Sequence, residues 1–194
     1  MEDTPIKSVV MNADDIERSL TRMAHQILEK NHGAKNLAVV GIVTRGDLLA
    51  KRLVDKIERI EGVRVPLGRL DISFYRDDFA TYLSPEVLST EIMFEINGLD
   101  VVLVDDVLYT GRTIRAALDA LMDIGRPGKV QLAVLVDRGH RELPIRAEFV
   151  GKNVPSSSDE NVRRFLEDSD GFSAVQILDV APGNRAGSAP LGGE

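Results

Sequence analysis

Two carboxylates, Asp105 and Asp106, stand side by side at the end of an apolar run in "VVLVDDVLYTGRT", residues 101–113. Burying two like charges together is unfavourable, so ionised neighbours at such a place face solvent, a cation or a polyhydroxylated ligand. A ribose offers vicinal hydroxyls that can each donate to a carboxylate. Behind the acids, Thr110, Gly111, Arg112 and Thr113 lead into a helix-like segment. The first backbone N–H groups of a helix lack intrahelical partners, and with two hydroxyls and a glycine that permits close approach they make a phosphate cradle. Acids and cradle lie one sugar-length apart, so the stretch reads as a grip for a ribose 5-phosphate. The competing phosphate motifs do not occur: the chain has no G-x-x-x-x-G-K-[ST] and no strand-linked G-x-G-x-x-G.

Such a grip needs a strand to carry the acids and a helix to carry the cradle. Asn12 can cap a helix in which Ile16, Leu20, Met23 and Ile27 share one face, ending near "NHG". "NLAVVGIV" (36–43) is a β-branched run of the kind buried on both faces of a parallel sheet, and "LLAKRLVDKIERIEG" (48–62) follows as an amphipathic helix closed by Gly62. "VPLGRLDISFY" (65–75) reads as the next strand, and "RDDFATYLSPEVL" (76–88) as a long functional or disordered loop. "EIMFEI" (91–96) reads as a short hairpin strand before the Asn97-Gly98 turn. The acid-bearing strand comes next, then a helix over 113–124 ended by Gly125 and Pro127, then the strand "VQLAVLV" (130–136). Alternating strands and helices predict an α/β open, mostly parallel sheet with helices on both faces. "RAEFVGKNVP" and "SAVQILDV" read as strands of a small appended subdomain. Residues 1–180 make one domain in this reading, and the Gly-, Ala- and Pro-rich stretch 181–194 a disordered tail.

Composition bounds the function from outside. Of 194 residues 43% are hydrophobic and only 5% aromatic, which describes a soluble domain whose core is Val, Leu, Ile and Ala. Without cysteine there are no disulfides or thiolate metal sites. No apolar run approaches the roughly 20 residues of a membrane span, and "MEDTPIK" lacks the regions of a signal peptide, so a cytoplasmic protein with no membrane partner is expected. A net charge of −7 argues against broad non-specific binding to nucleic acid and confines any such site to a local basic patch.

"VVLVDDVLYTGRT" resembles the phosphoribosyl-pyrophosphate motif of type I phosphoribosyltransferases. "GIVTRGDLLAKRL", "LDISFYRDD", "GRPGKVQLAVLVDRGHRELPIRAEFVGKNVPSS" and "SLTRMAHQIL" extend the likeness over roughly residues 10 to 165. Together they resemble the bacterial pyrimidine-operon attenuation regulators that are also uracil phosphoribosyltransferases. The resemblance implies a type I phosphoribosyltransferase-like sheet with a small hood, and transfer of the phosphoribosyl group to uracil through an oxocarbenium-like transition state. It implies that Asp105 and Asp106 hold the ribose hydroxyls, and that Val107, Leu108, Tyr109, Thr110, Gly111, Arg112 and Thr113 complete the ribose-5-phosphate site. Thr44, Arg45 and Gly46 match the pyrophosphate loop, in which the family sometimes has a cis peptide, here expected around Thr44. Mg²⁺ is implied as cofactor, held mainly by the substrate's pyrophosphate and water rather than by a dedicated protein site. "SFYRDDF" (73–79) matches a mobile flap in which Tyr75, Arg76 and Asp77 are candidates for transition-state contacts, Arg76 foremost as a catalytic residue. Asp137, Arg138 and the backbone near Val162 match the uracil-receiving hood. Purine-specific relatives often carry an acid three residues after the acidic pair; Tyr109 stands there, which favours a pyrimidine and leaves the general base open.

The regulatory half of the resemblance rests on other residues. Arg18, Thr21, Arg22 and His25 lie on the first helix opposite its apolar stripe, and His140, Arg141, Arg146 and Lys152 add positive charge elsewhere. Arginine and histidine can contact phosphates or stack on unpaired bases of an RNA loop, although a solvated helix face carries the same residues. Three readings stay open: an enzyme that also binds an mRNA leader hairpin in response to UMP, an enzyme alone, and a nucleotide sensor with negligible turnover. In each, the ligands are phosphoribosyl pyrophosphate, uracil and UMP, and a homodimer or higher homo-oligomer is implied.

Overall fold

The computed structural model describes residues 6–75, 89–155, 161–165 and 173–178. Five parallel strands, β2 (Leu37–Ile42), β3 (Leu67–Leu70), β4 (Asp100–Leu108), β5 (Lys129–Asp137) and β6 (Phe149–Asn153), form the main sheet in the order β3-β2-β4-β5-β6. Its strands alternate their side chains between two helical layers, which is why they read as unbroken apolar runs. Val39, Val102, Val104 and Leu135 face α1 (Ala13–Asn31) and α2 (Gly46–Glu61), meeting Ile16, Leu20, Leu49, Leu53 and Ile57. Val40, Val101, Leu103 and Val134 face the other way, onto Ile114, Ala117 and Leu121 of α3 (Arg112–Ile124). All of these side chains are at most 2% exposed, and burying each Leu or Ile stabilises the fold by roughly 1.5–3 kcal/mol.

Helix boundaries follow the capping chemistry. Asn12 Oδ1 accepts from the Asp15 N–H at 2.9 Å and Asp15 Oδ2 accepts from the Asn12 N–H at 3.1 Å, a reciprocal capping box. That backbone bond, and then Arg18, hold the Asp15 carboxyl below its usual range. His32, in the left-handed region at φ 55°, and Gly33 end α1 at the "NHG" anticipated from sequence. No helix among the described residues is long and apolar enough to cross a membrane.

A second, three-stranded antiparallel sheet, in the order β1-β8-β7, gathers β1 (Ile6–Met11), β8 (Ala174–Leu178) and β7 (Asn161–Phe165). This is the hood, and β1 and β7 had no strand signal in the sequence reading. Three other expectations change. "RAEFVGKNVP" supplies β6, the fifth strand of the main sheet rather than part of a subdomain, because Phe149 is buried and Gly151 lies so close to β5 that a Cβ there would meet the Leu135 carbonyl at 2.4 Å. The strand expected over 65–75 ends at Leu70: Asp71 Oδ1 accepts from both the N–H and the hydroxyl of Ser73, at 2.8 and 2.6 Å, and turns the chain into a 3-10 turn, Ser73–Tyr75. "EIMFEI" keeps its alternating burial but makes only a single bridge, Glu91 to Arg69, so it lies over β3 without forming a ladder. The expected flap beyond Tyr75 and the tail 181–194 lie outside the described residues.

The capping box makes a stability prediction. Asn12→Ala should lower the unfolding free energy by about 1 kcal/mol, read as a lower urea midpoint by circular dichroism, with nucleotide affinity unchanged. An unshifted midpoint would show that α1 is set by packing alone.

Candidate active site

The chain leaves β2 to one side for β3, then crosses to β4 on the other, so the strand order reverses between β2 and β4. In open α/β sheets the crevice beyond the carboxyl ends at such a reversal is where ligands bind. A cleft of about 440 Å³ lies there, lined by Thr44, Arg45, Asp71, Ser73, Asp105, Asp106, Val107, Tyr109, Thr113 and Arg138 among others. Thus residues singled out in three separate stretches of the sequence, Thr44 and Arg45, Asp105 to Thr113, and Arg138, converge on one hollow.

Asp105 and Asp106 are each 7% exposed. Desolvated acids so close together call for hydrogen-bond donors or a cation facing them. One donor is local: the Asp106 N–H gives a 2.8 Å bond to Asp105 Oδ1. Next along β4, Leu108 turns into the core at 1% exposure, so its side chain is no ligand contact. Gly111 sits at φ 94°, ψ −6° as the N-cap of α3 and has no side chain with which to cap it. The Arg112 N–H makes a long 3.4 Å contact with Thr110 Oγ1. The helix therefore starts with its positive end turned toward the cleft side of the loop, as a phosphate site requires.

On the β2 side the Val43–Thr44 peptide is cis, at the position the sequence reading named. Arg45 is the N-cap of α2 and again no side chain caps the helix. Gly46 does not line the cleft; it is buried against β4, where a Cβ would lie 2.4 Å from the Val104 carbonyl and 3.1 Å from Asp105 Cα. Its lack of a side chain is what lets the α2 N-terminus approach the acid pair.

Arg138 lies with its guanidinium carbon 4.3 Å from the centroid of the Tyr109 ring, a cation–π contact, and His140 meets the same ring edge-on at 6.0 Å. Arg138 also lines a second hollow of about 480 Å³ with Arg141, Ile145, Arg146 and Pro155. Asp137 turns from the cleft to hold its own loop, its oxygens accepting from the Gly139 N–H at 2.9 Å and from Arg141 at 2.6 Å. Val162 stands on β7, paired with Ile177 of β8.

Sequence reasoning passed over Asp71. It is 9% exposed, lines the cleft, and keeps Oδ2 buried without a hydrogen-bond partner. The available signal was its place at the carboxyl end of β3, the same signal that picked out Asp105. Tyr75 lies elsewhere than expected: its hydroxyl donates to Asp123 Oδ2 on α3 at 2.7 Å, and that bond raises the phenol's pKa above its usual value. Arg76 and Asp77 fall outside the described residues.

The candidate RNA contacts divide. Arg22 donates to the carbonyls of Val150 and Gly151, at 3.2 and 2.6 Å, and Lys152 to that of Val10 at 2.8 Å, so both dress the edge strand β6 and its neighbour β1. Arg18 pairs with Asp15 at 2.6 Å, and Thr21 donates to the Glu17 carbonyl. Arg141 is turned inward onto four acceptors. His25, His140 and Arg146 are exposed.

Residues 10–169 match the family model described as the phosphoribosyl transferase domain. The chain is 58% identical over 176 residues to the bifunctional protein PyrR of Pelotomaculum thermopropionicum, covering 90% of this chain and 97% of that one. It is 54% identical over 177 residues to the bifunctional protein PyrR of Deinococcus radiodurans, covering 91% and 97%. Among solved structures, a hypoxanthine phosphoribosyltransferase of Trypanosoma cruzi, with its ternary substrates bound, superposes with a TM-score of 0.71 at 17% identity over 90% of this chain and 96% of that one. One from Staphylococcus aureus gives 0.65 at 23% identity, over 91% and 94%. Likeness at those identities speaks to the fold alone.

Gly46 supplies the test of this geometry. Gly46→Ala should push α2 off β4, lowering the unfolding free energy by about 1–3 kcal/mol and weakening nucleotide binding with it. A melting temperature and affinity equal to wild type would show that the close approach is not needed.

Proposed function

This chain belongs to the phosphoribosyl transferase domain family, and from that premise we propose that it is a uracil phosphoribosyltransferase whose product, UMP, also governs its binding to an mRNA leader. The observation that carries the enzymatic half is the gathering at the β2/β4 reversal of a desolvated acid pair and two helix N-termini whose N-cap residues make no side-chain cap bond. In the reaction, N1 of uracil forms a bond to the anomeric carbon as the bond from that carbon to the pyrophosphate oxygen breaks. The N1 proton is lost, and pyrophosphate leaves with the bonding pair. Positive charge builds on the ribose in between, so charge handling is the main catalytic problem.

Asp105 and Asp106 would hold the ribose hydroxyls and stabilise that charge from close by. The start of α3, with Thr110 and Thr113, would hold the 5-phosphate, and Thr44 and Arg45 at the start of α2 the departing pyrophosphate. Arg138 over Tyr109 offers a flat cationic surface beside which a single pyrimidine ring fits. The residues suit Mg²⁺ as well: the cleft presents carboxylate oxygens from Asp71, Asp105 and Asp106, including the unpartnered Asp71 Oδ2. The ion would be held mainly by the substrate's own pyrophosphate oxygens and water, with these carboxylates beside it. When bound, it would neutralise the leaving group.

The name of these relatives, bifunctional protein, accords with a second activity. Exposed His25, His140 and Arg146 are cations and rings available to an RNA loop, whereas Arg22 and Lys152 reach it only by giving up their carbonyls. UMP, bound by the hood and Arg138, would favour the RNA-competent form by binding it more tightly.

Replacing both Asp105 and Asp106 by Asn should abolish formation of UMP from uracil, Mg²⁺ and phosphoribosyl pyrophosphate while circular dichroism stays native; retained turnover would overturn the ribose assignment. For the regulatory half, leader RNA should bind more tightly with UMP and weaken steeply with salt. His25→Ala with Arg146→Ala should lose that binding and keep turnover; binding unaffected by UMP or salt would leave the chain an enzyme only.

A further inference from the structure

A loop can turn its amide N–H groups toward a phosphate only if its carbonyl oxygens are satisfied on the far side. Here three successive carbonyls of the sugar-phosphate loop all accept from one segment. The Arg138 N–H donates to Leu108 at 3.0 Å, Arg141 Nη1 to Tyr109 at 2.8 Å, and the N–H groups of Glu142 and Leu143 both donate to Thr110, at 3.0 and 3.1 Å. The same segment carries Arg138 at the base end of the cleft. Of the three attachments only the middle one depends on a side chain, that of Arg141.

That side chain makes three further bonds besides the one to Tyr109. Nε donates to the Ile145 carbonyl at 2.8 Å, Nη1 also to that of Gly139 at 3.0 Å, and Nη2 to Asp137 Oδ2 at 2.6 Å. The Asp137 and Arg141 side chains are only 14% and 22% exposed, so the ion pair is shielded and its loss leaves a buried carboxylate with one donor fewer. Three of the four acceptors lie in the base segment and one in the sugar loop. The planar guanidinium therefore sets the distance and tilt between the two, which an ammonium on a flexible stem cannot do.

We propose that Arg141 is a positioning residue that couples the base-recognition segment to the sugar-phosphate loop, holding Arg138 in register with the ribose grip. The proposal rests on the reading of this cleft as a nucleotide site. Base affinity should depend on Arg141 more than phosphate affinity, because Leu108 and Thr110 keep their backbone donors when Arg141 is lost.

Calorimetric titration of the full chain with UMP and, separately, with ribose 5-phosphate tests this in wild type, Arg141→Gln and Arg141→Lys, beside melting temperatures and steady-state kinetics. UMP affinity should fall about tenfold or more in both variants, while ribose 5-phosphate affinity changes by less than about threefold. Uracil KM should rise by a larger factor than kcat falls. Unchanged UMP affinity in Arg141→Gln overturns the proposal, as does recovery by lysine, which would reduce the role to a point charge on Asp137. Equal losses for both ligands with a lowered melting temperature would mark a general scaffold residue and also overturn it. If Arg141→Gln does not fold, the same comparison on Arg141→Lys decides. Failure of the wild type itself to bind UMP would remove the nucleotide reading beneath it, a result distinct from any failure of the variants.

Discussion

Every peptide unit is polar at both ends, and a binding loop that offers one end to its ligand must dispose of the other. Around this constraint the rest of the cleft is arranged. The carbonyls of Leu108, Tyr109 and Thr110 are taken by the segment after β5, which leaves the start of α3 uncapped by any side chain. The strand order makes this possible, since β5 lies beside β4 and runs parallel to it, delivering residues 138–143 directly behind the loop. The loop after β4 and the segment after β5 are thus adjacent because their strands are paired, not because a linker happens to bring them near.

The same logic explains the glycines that the site requires. At Gly111 the left-handed backbone completes the short turn from β4 into α3. At Gly46 the missing side chain lets the second helix N-terminus come within touching distance of β4 beside Asp105. Two helix ends and an acid pair consequently share a small volume, and opposite charges face each other across it. An acid pair that would destabilise an empty cleft becomes tolerable beside two positive helix ends and Arg45.

What the sequence disclosed, and what it hid, divides along the range of the interactions. The capping box at Asn12, the apolar stripe of α1, the buried run of β4 and the phosphate turn are local patterns, and each occurs where its residues say. Elements defined by distant partners were invisible or misplaced. β1 and β7 exist as strands because β8 lies between them, and nothing in their own residues announces it. β6 was assigned to the wrong sheet because its short, half-polar stretch resembles a surface hairpin until Gly151 is seen against Leu135. Arg22, Arg141 and Lys152 read as a solvent-facing basic set, yet each donates to a backbone carbonyl far away in the chain. Charge in a sequence shows its sign at once; its direction depends on which carbonyls the fold leaves over.

One pairing bears on how the molecule comes into being. β1 joins β8 across nearly the whole length of the chain, Ile6 lying opposite Leu178, whereas β2, β4 and β5 are linked through the helices that separate them. During synthesis the acid pair, both helix ends and the segment behind them can settle while later residues are still inside the ribosome. β8 follows every other described strand in the chain, so the β1-β8-β7 sheet can close only after the strands of the main sheet are all made, and its closure joins ends far apart at an entropic cost.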